Sequence, residues 1–441
     1  MLGAGLSARV GKAMAALLRW LALALALTLG WRSWEAATTA FLQLWRRLLR
    51  RASPGDTAPW PELPPELLGL VLSRLPSQVD RVRLCAVCRP WRSTPRPHPL
   101  PPPFPWIVLR DRTFLTLPYG ALHRLPRHLC CGQVVVCCVS TGSTLFFGHL
   151  NGRCCLVNPC SGKTTSLKIN LADYSTLKIY KLVLSHHIVA FQTKYKLTII
   201  PRQGARHMTW EPPGNIYSSM LLPHDLDVIM DIAVFQRKLY VLTRKFYNTL
   251  PQQPDLHLLD INLEHNCVRS VRCISATQTN DMAPCLSAIT GTRRLFFFYL
   301  VVSGDRLLVV ERQIHMELAN STHGNPRPRP IRAMFEVLEA VDLIAGQGRW
   351  SKVDTLMGRA LFVGRECSES LPAQCGARPD CIYFMTERNH FLPRVERKPD
   401  DDLLDCVVYN VRDRTMEPLA WEAEAGRDGP SHPTWLFPAD V

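Results

Sequence analysis

From Ile107 to the C-terminus, the sequence is dominated by short runs of β-branched and aromatic residues that are separated by turn-forming residues. Such runs are typical of strands, because branched side chains pack well on a pleated surface. They cover residues 134–139, 145–147, 155–157, 182–184, 197–200, 229–235, 239–242, 256–261, 295–302, 307–310, 334–341, 360–363, 381–385 and 406–411. Two of them flank Ser303-Gly304-Asp305, which predicts a hairpin. Helical periodicity is almost absent here, so a mainly β fold is expected.

The length of this region, 107–441, suits a β-propeller. Roughly 330 residues, at about 40–50 residues for each four-stranded blade, predict six or seven blades. The chain has 35 prolines and 24 glycines, which also favours short elements joined by turns. An array of β-sandwiches is the alternative. The proline-rich segment 327–330 is expected to be a loop.

The net charge of +15 is concentrated at the N-terminus. Residues 1–51 contain eight Lys and Arg and one Glu, or +7, which leaves 44 basic and 36 acidic side chains, or +8, for the rest. No stripe of Lys and Arg interleaved with aromatic residues occurs in that remainder, so nucleic-acid binding is not expected.

Residues 1–51 form a basic apolar tail that is followed by a linker at 52–59. The apolar stretch 13–31 contains Arg19, and its uninterrupted part, 20–31, is shorter than the ~20 residues of a spanning helix. Residues 41–51 place apolar side chains on one helical face and arginines opposite, as in helices that lie on a membrane surface. Membrane contact through 13–51, an organelle-targeting presequence and a non-functional extension all remain open. An anchor of this polarity would leave the body in the cytosol.

Sixteen cysteines are scattered over the chain, three adjacent pairs among them, at 130–131, 137–138 and 154–155. Their spacing does not resemble a disulfide framework and predicts a reducing compartment. Because neighbours in a strand point to opposite faces, each pair is predicted to bury one thiol and expose the other. Cys85 and Cys88 form the only close CxxC, and no second ligand pair lies at zinc-finger distance, so a helix face is favoured over a zinc site. No cofactor or metal is expected.

Residues 60–98 carry a different, helical pattern. Prolines 64 and 65 suit a helix start, and apolar residues then recur at three- and four-residue spacing until Pro76. A second apolar pattern runs from Val79 to Cys88 and ends before Trp91. A unit of this size cannot bury a sufficient core alone. Its apolar surface must therefore contact the rest of the chain or another protein.

This helical segment resembles an F-box, the motif that docks substrate adaptors on the Skp1 subunit of cullin-RING ubiquitin ligases. The matching residues are Leu63-Pro64-x-Glu66-Leu67-Leu68, Leu72-x-x-Leu75-Pro76 and Arg83-Leu84-x-Ala86-Val87-Cys88-Arg89-x-Trp91-Arg92. The resemblance implies that the apolar positions divide between the packing of the motif and a contact with Skp1. The residues assigned to this protein-binding site are Leu63, Pro64, Leu67, Leu68, Leu72, Leu75, Pro76, Leu84, Val87 and Trp91. The proline-rich 94–105 predicts a truncated third helix.

The β region resembles the propeller of plant F-box proteins of the DUF295 or KIB1-4 type. The residues that carry this likeness are Phe147-Gly148-x-Leu150-x-Gly152, Leu156-Val157-Asn158-Pro159, Trp350-Ser351-Lys352-Val353, Gly358-Arg359-Ala360-Leu361-Phe362-Val363-Gly364-Arg365, Gly376-x-x-Pro379-x-Cys381-Ile382-Tyr383-Phe384 and Val408-Tyr409-Asn410. The resemblance implies that the propeller binds a target protein while the F-box recruits Skp1 and, through it, a cullin.

Taken together, these patterns predict a non-catalytic adaptor of a Skp1-cullin-F-box ubiquitin ligase. The target protein is unknown, and the expected location is the cytoplasm, the nucleus or both. No Gly-x-Ser-x-Gly or His-Glu-x-x-His motif occurs in the sequence, so no catalytic residue is assigned. The alternative is a membrane-associated propeller binding protein with a degenerate F-box and no ligase role.

Overall fold

The computed structural model describes residues 63–93, 99–109, 113–117, 120–124, 135–149, 152–167, 179–193, 195–202, 207–213, 227–245, 253–275, 292–319, 327–343, 347–387, 404–419 and 433–438. The tail 1–51, the linker 52–59 and the ends of the F-box segment, 60–62 and 94–98, lie outside the described residues. The chain divides into two compact units, the first of residues 1–75 and 80–100 and the second of residues 76–79 and 101–441.

Among the described residues, three α-helices precede the strands: α1 (Pro65–Arg74), α2 (Gln78–Cys85) and α3 (Arg89–Ser93). Helix α1 starts at a proline, whose missing N–H costs nothing in the first turn. The Pro64 carbonyl accepts the backbone N–H groups of Leu67 and Leu68, both at 3.1 Å. The side chain of Arg81 donates to the Leu75 carbonyl at 2.8 Å, which ties α2 to the end of α1. Helix α3 is five residues long. Residues 94–98, which follow it, lie outside the described residues, so the truncated third helix stays a prediction.

The second unit is a six-bladed propeller, which confirms the predicted fold and its lower blade count. Blade 1 contains β1 (Trp106–Val108), β2 (Thr113–Thr116) and β3 (Ala121–Arg124), and blade 2 contains β4 (Val135–Thr141), β5 (Thr144–His149), β6 (Cys154–Val157) and β7 (Thr164–Leu167). Blade 3 contains β8 (Lys181–Leu184), β9 (Ile188–Gln192), β10 (Leu197–Pro201) and β11 (Met208–Trp210), and blade 4 contains β12 (Asp227–Phe235), β13 (Lys238–Lys245), β14 (Asp255–Asn262) and β15 (Cys267–Ile274).

Blade 5 contains β16 (Thr292–Ser303), β17 (Arg306–Ala319), β18 (Arg327–Val341) and β19 (Arg349–Lys352). Blade 6 contains β20 (Arg359–Val363), β21 (Glu369–Pro372), β22 (Cys381–Glu387), β23 (Leu404–Asn410) and β24 (Met416–Pro418). Its order is β21-β20-β22-β23-β24, with β20 and β22 parallel. Every run of residues predicted as a strand overlaps one of these strands, and no stacked pair of sandwich sheets is formed by the described residues.

The ring is closed by the last of the described strands, β25 (Thr434–Leu436), which pairs with β1 and so completes blade 1. Trp435 on β25 is fully buried, and its indole N–H donates to the Val363 carbonyl of blade 6 at 3.0 Å. The same strand is joined to blade 2, because the Ser140 hydroxyl donates to the Trp435 carbonyl at 2.5 Å. One C-terminal strand therefore holds three blades together.

Blade 5 confirms one local prediction and contradicts another. The hairpin at Gly304 is confirmed, since Ser303 pairs with Arg306 and Gly304 has a φ of +65°. The loop predicted at 327–330 is wrong, because these residues begin β18 and pair with β17. Strand β19 pairs with β18 only from Leu338 to Val341. Within the described residues, no strand pairs with Pro328 and Pro330 on that side of β18, so their missing N–H groups break no ladder there.

The prediction for the cysteine pair at 154–155 is also wrong, since Cys154 and Cys155 are both buried. Cys154 packs in one apolar layer with Phe146 and Phe191, whereas Cys155 packs in another with Phe147 and Leu436. Blade 2 is covered on both faces by its neighbours, so alternate residues enter two different cores. The pairs at 130–131 and 137–138 are not described in side-chain detail.

Candidate functional site

The helical unit has a small apolar core. Five side chains are buried in it: Leu68, Leu72, Leu75, Leu84 and Trp91. Leu63, Val71, Cys85, Cys88 and Leu100 pack against this core and are partly buried. The two cysteines of the CxxC thus contribute to apolar packing. Among the described residues, no group of three or more His, Cys, Asp and Glu side chains is placed to hold a metal ion.

The same helices also carry large apolar side chains that face solvent. Leu67 and Leu70 on α1 are 50% and 49% exposed, Val82 on α2 is 51% exposed, and Val87, just after α2, is 41% exposed. Leu67 and Leu70 are three residues apart and therefore lie on one side of α1. We call these four side chains the exposed apolar set. Exposed apolar surface that is concentrated on one small unit is typical of a protein-binding site.

The residues assigned to the protein-binding site from the sequence fall into two groups. Leu68, Leu72, Leu75, Leu84 and Trp91 form the core, Leu63 packs against it, and Pro64 caps α1. Leu67 and Val87 are exposed, whereas Pro76 is partly buried and belongs to the second unit. The sequence reasoning missed Leu70 and Val82. Both could have been found by asking which apolar residues of each helix lie opposite its core positions.

The propeller has a cavity of about 770 Å³ to which all six blades contribute. Its walls include Thr141 of blade 2, Lys181 of blade 3, Ile232 of blade 4, Leu300 of blade 5 and Glu369 of blade 6. Phe437, directly after β25, completes the wall on the side of blade 1. A cavity of this volume with a few convergent polar groups is the usual form of a small-molecule site.

A buried ion pair, together with a backbone hydrogen bond, joins three blades beside this cavity. Lys181 Nζ lies 2.7 Å from Asp231 Oδ1, and both side chains are almost completely buried. The Asp231 carboxylate also accepts the backbone N–H of Leu300 at 2.6 Å and that of Ile232 at 2.8 Å. Burial raises the pKa of the Asp231 carboxyl, while Lys181 and the two N–H groups oppose that rise. A bulge in β12, between Ile229 and Asp231, sets the register at this point.

The loop between β20 and β21 brings further polar groups to the wall. Glu366 is buried and accepts the Ser140 backbone N–H at 3.3 Å, and the Cys367 sulfur accepts the N–H of Gly142 at 3.4 Å. Burial raises the pKa of the Cys367 thiol to about 12, so this thiol is not a nucleophile at neutral pH. Burial likewise raises the pKa of the Glu369 carboxyl, to about 7.

The fold and its surfaces define a class: a mainly β protein in which a small helical unit precedes a six-bladed propeller. The sequence matches the family model of the KIB1-4 beta-propeller over residues 114–410 and the F-box-like model over residues 60–94. The chain therefore belongs to the KIB1-4 β-propeller family, and it carries an F-box-like domain, as the sequence motifs predicted. An F-box-like domain followed by a propeller is typical of non-catalytic adaptors and suggests a Skp1-type partner.

Solved structures that resemble parts of this chain have little sequence in common with it. The N-terminal domain of Nup159 is 8% identical, with a TM-score of 0.23, over 54% of this chain and 73% of that one. The tricorn protease is 9% identical, with a TM-score of 0.32, over 71% of this chain and 29% of that one. No curated protein matches the sequence. Within the described residues, no helix has the length and apolar character needed to cross a bilayer.

Proposed function

We propose that this protein is a substrate-recognition adaptor of a Skp1-cullin-F-box ubiquitin ligase. Its F-box-like unit docks a Skp1-like protein, and its propeller binds a target protein for ubiquitin-dependent degradation. The observation that carries the proposal is the exposed apolar set, Leu67, Leu70, Val82 and Val87. These side chains stay exposed because other residues form the core of the helical unit. The cullin, which the Skp1-like protein would bring, and a cytoplasmic or nuclear location belong to the same proposal.

The size of the exposed apolar set is consistent with docking. Complete burial of a Leu or Val side chain is worth about 1.5–3 kcal/mol, so covering the exposed half of each is worth about 1 kcal/mol. The four side chains together supply about 4 kcal/mol, which leaves the remaining affinity to polar contacts around them. Burying an aspartate at one of these positions would remove that gain and add the cost of desolvating a charge.

A binding experiment with the full chain and a recombinant Skp1-like protein tests the proposal. Changing Leu67→Asp or Val87→Asp should weaken binding at least tenfold each, and the double variant should weaken it at least a hundredfold, by isothermal titration calorimetry. Both side chains are exposed, so the thermal unfolding midpoint should stay unchanged.

The matched control is Leu122→Asp, because Leu122 on β3 of the propeller is a similarly exposed leucine, at 57%. This variant should bind like the unchanged protein. If the double variant binds normally, or if Leu122→Asp weakens binding to the same degree, the docking assignment is wrong.

Deleting residues 1–51 tests the membrane-associated alternative. That alternative requires that the full chain is extracted from membranes only with detergent and that the shortened chain is extracted without it.

A further inference from the structure

The propeller cavity contains one acidic group without a partner among the described residues. Glu369 is the first residue of β21, on the cavity wall, and its side chain makes no hydrogen bond or ion pair with any residue in the described ranges. It lies against the β4–β5 turn, since a Cβ built on Gly142 would be 3.2 Å from Glu369 Oε1. The backbone of this turn therefore lies beside the carboxylate.

Three basic groups on or beside this wall are already engaged. Lys181, which also lines the cavity, lies 2.7 Å from Asp231. Arg359 donates from Nε to the Ser370 hydroxyl and from a terminal nitrogen to the Ser370 carbonyl, both at 2.8 Å. Arg365 stacks over the ring of Tyr180 at 5.3 Å. The neighbouring side chains of Glu366 and Cys367 are not basic, so neither can serve as a counter-charge for Glu369.

A carboxylate that is partly removed from water and lacks a counter-charge is costly. Burial is the cause that raises its pKa, and the ionised form is therefore the one that a cation would stabilise. The cavity volume of about 770 Å³ leaves room for a ligand of several heavy atoms beside the carboxylate. Leu182, Val302 and Leu371 offer apolar contacts to the rest of such a ligand.

We propose that the central cavity of the propeller binds an organic cation, through a guanidinium or primary ammonium group that pairs with the Glu369 carboxylate. Two sources supply this chemistry: a free small molecule, or an Arg or Lys side chain of a protein segment that enters the cavity. The site is independent of the docking surface on the helical unit, so either assignment can fail without the other.

Ligand-observed NMR titration of the full chain with n-butylguanidinium tests the site, and the uncharged n-butylurea serves as the matched probe. The unchanged protein should bind butylguanidinium at least tenfold more tightly than butylurea at pH 8. Glu369→Gln should reduce affinity for the cation to that for the urea, whereas Glu264→Gln, at an exposed glutamate on the β14–β15 turn, should change nothing.

The pH dependence is a second readout. The guanidinium stays charged, so its affinity follows ionisation of Glu369, whose pKa is about 7. Affinity should fall about tenfold between pH 8 and pH 6. The other titratable side chains on the cavity wall are Lys181, Glu366 and Cys367, and Asp231 is the ion-pair partner of Lys181. The Glu369→Gln variant reveals any contribution from them, since it should show no such fall.

A third arm distinguishes the two sources. A blocked pentapeptide with one central arginine among alanines should compete with butylguanidinium if a protein side chain is the natural occupant, and it should fail to compete if the site takes a free small molecule. Both results support a cation site. Equal binding of butylguanidinium and butylurea, or equal binding by the unchanged protein and the Glu369→Gln variant, would overturn the proposal.

Discussion

The ion pair between Lys181 and Asp231 offers the sharpest test of how the propeller is held together. Asp231 links blades 3, 4 and 5, because it contacts Lys181 at 2.7 Å and the Leu300 backbone N–H at 2.6 Å. The change Asp231→Asn keeps the shape and an acceptor oxygen but removes the negative charge. Lys181 is then left buried without its counter-ion.

The cost of that change can be worked from the burial of both groups. Removing one member of a buried ion pair costs about 3–5 kcal/mol, because the other charge remains desolvated. The change Lys181→Met should cost less, since burial raises the pKa of Asp231 and the carboxyl can take up a proton. The double variant should therefore resemble Lys181→Met, which makes the two changes strongly non-additive.

Thermal unfolding at pH 7 measures these differences. With an unfolding entropy of about 2.1 cal/mol/K per residue and roughly 340 residues in this unit, a loss of about 4 kcal/mol lowers the midpoint by about 6 °C. The control is Asp342→Asn, which removes an exposed pair with Arg349 and should shift the midpoint by less than about 1 °C. A shift that small for Asp231→Asn, or simple additivity in the double variant, would refute the reasoning.

Two further changes test the ring closure and the cavity. Trp435→Phe leaves the Val363 carbonyl without its buried donor and should destabilise the propeller by about 1–3 kcal/mol in urea unfolding, while an unchanged midpoint would mean that this bond does not hold the ring. Glu369→Gln should stabilise the ligand-free protein by about 3–4 kcal/mol at pH 8, because the folded carboxyl has a pKa of about 7 against about 4.3 when unfolded. That raised pKa lowers the stability of the unchanged protein progressively as pH rises from about 4 through 7, so the advantage of the variant should disappear below about pH 4.

Local patterns in the sequence predict the elements of this fold well. The strand at 256–261 and the hairpin at Gly304 depend on residue type and turn chemistry, which act within a few residues. The helix that starts at Pro65 and stops before Pro76 is equally local. The F-box resemblance rests on residues of this helical segment, and the propeller resemblance rests on short motifs in blades 2, 5 and 6. The amino-acid sequence alone is therefore sufficient for the family assignment.

Properties that arise between elements could not be predicted in this way. Cys154 and Cys155 are both buried because two neighbouring blades cover blade 2, a fact that no alternation rule within one strand contains. Glu369 and Lys181 line one cavity, and Asp231 pairs with Lys181, only because the ring brings distant parts of the chain together. Leu70 was missed for a simpler reason, since the sequence reasoning followed the motif positions and not the outer face of α1.

The two candidate sites differ in physical character, and this difference argues for separate roles. The exposed apolar set on the helical unit gains free energy only when a partner covers it, so it suits an association driven by apolar burial. The cavity wall presents the Glu369 carboxylate, which has no partner among the described residues, so it suits recognition of one charged group at one place. An adaptor needs a constant contact with its ligase and a selective contact with its target. We propose that in this chain the constant contact falls to Leu67, Leu70, Val82 and Val87, and the selective one to the propeller.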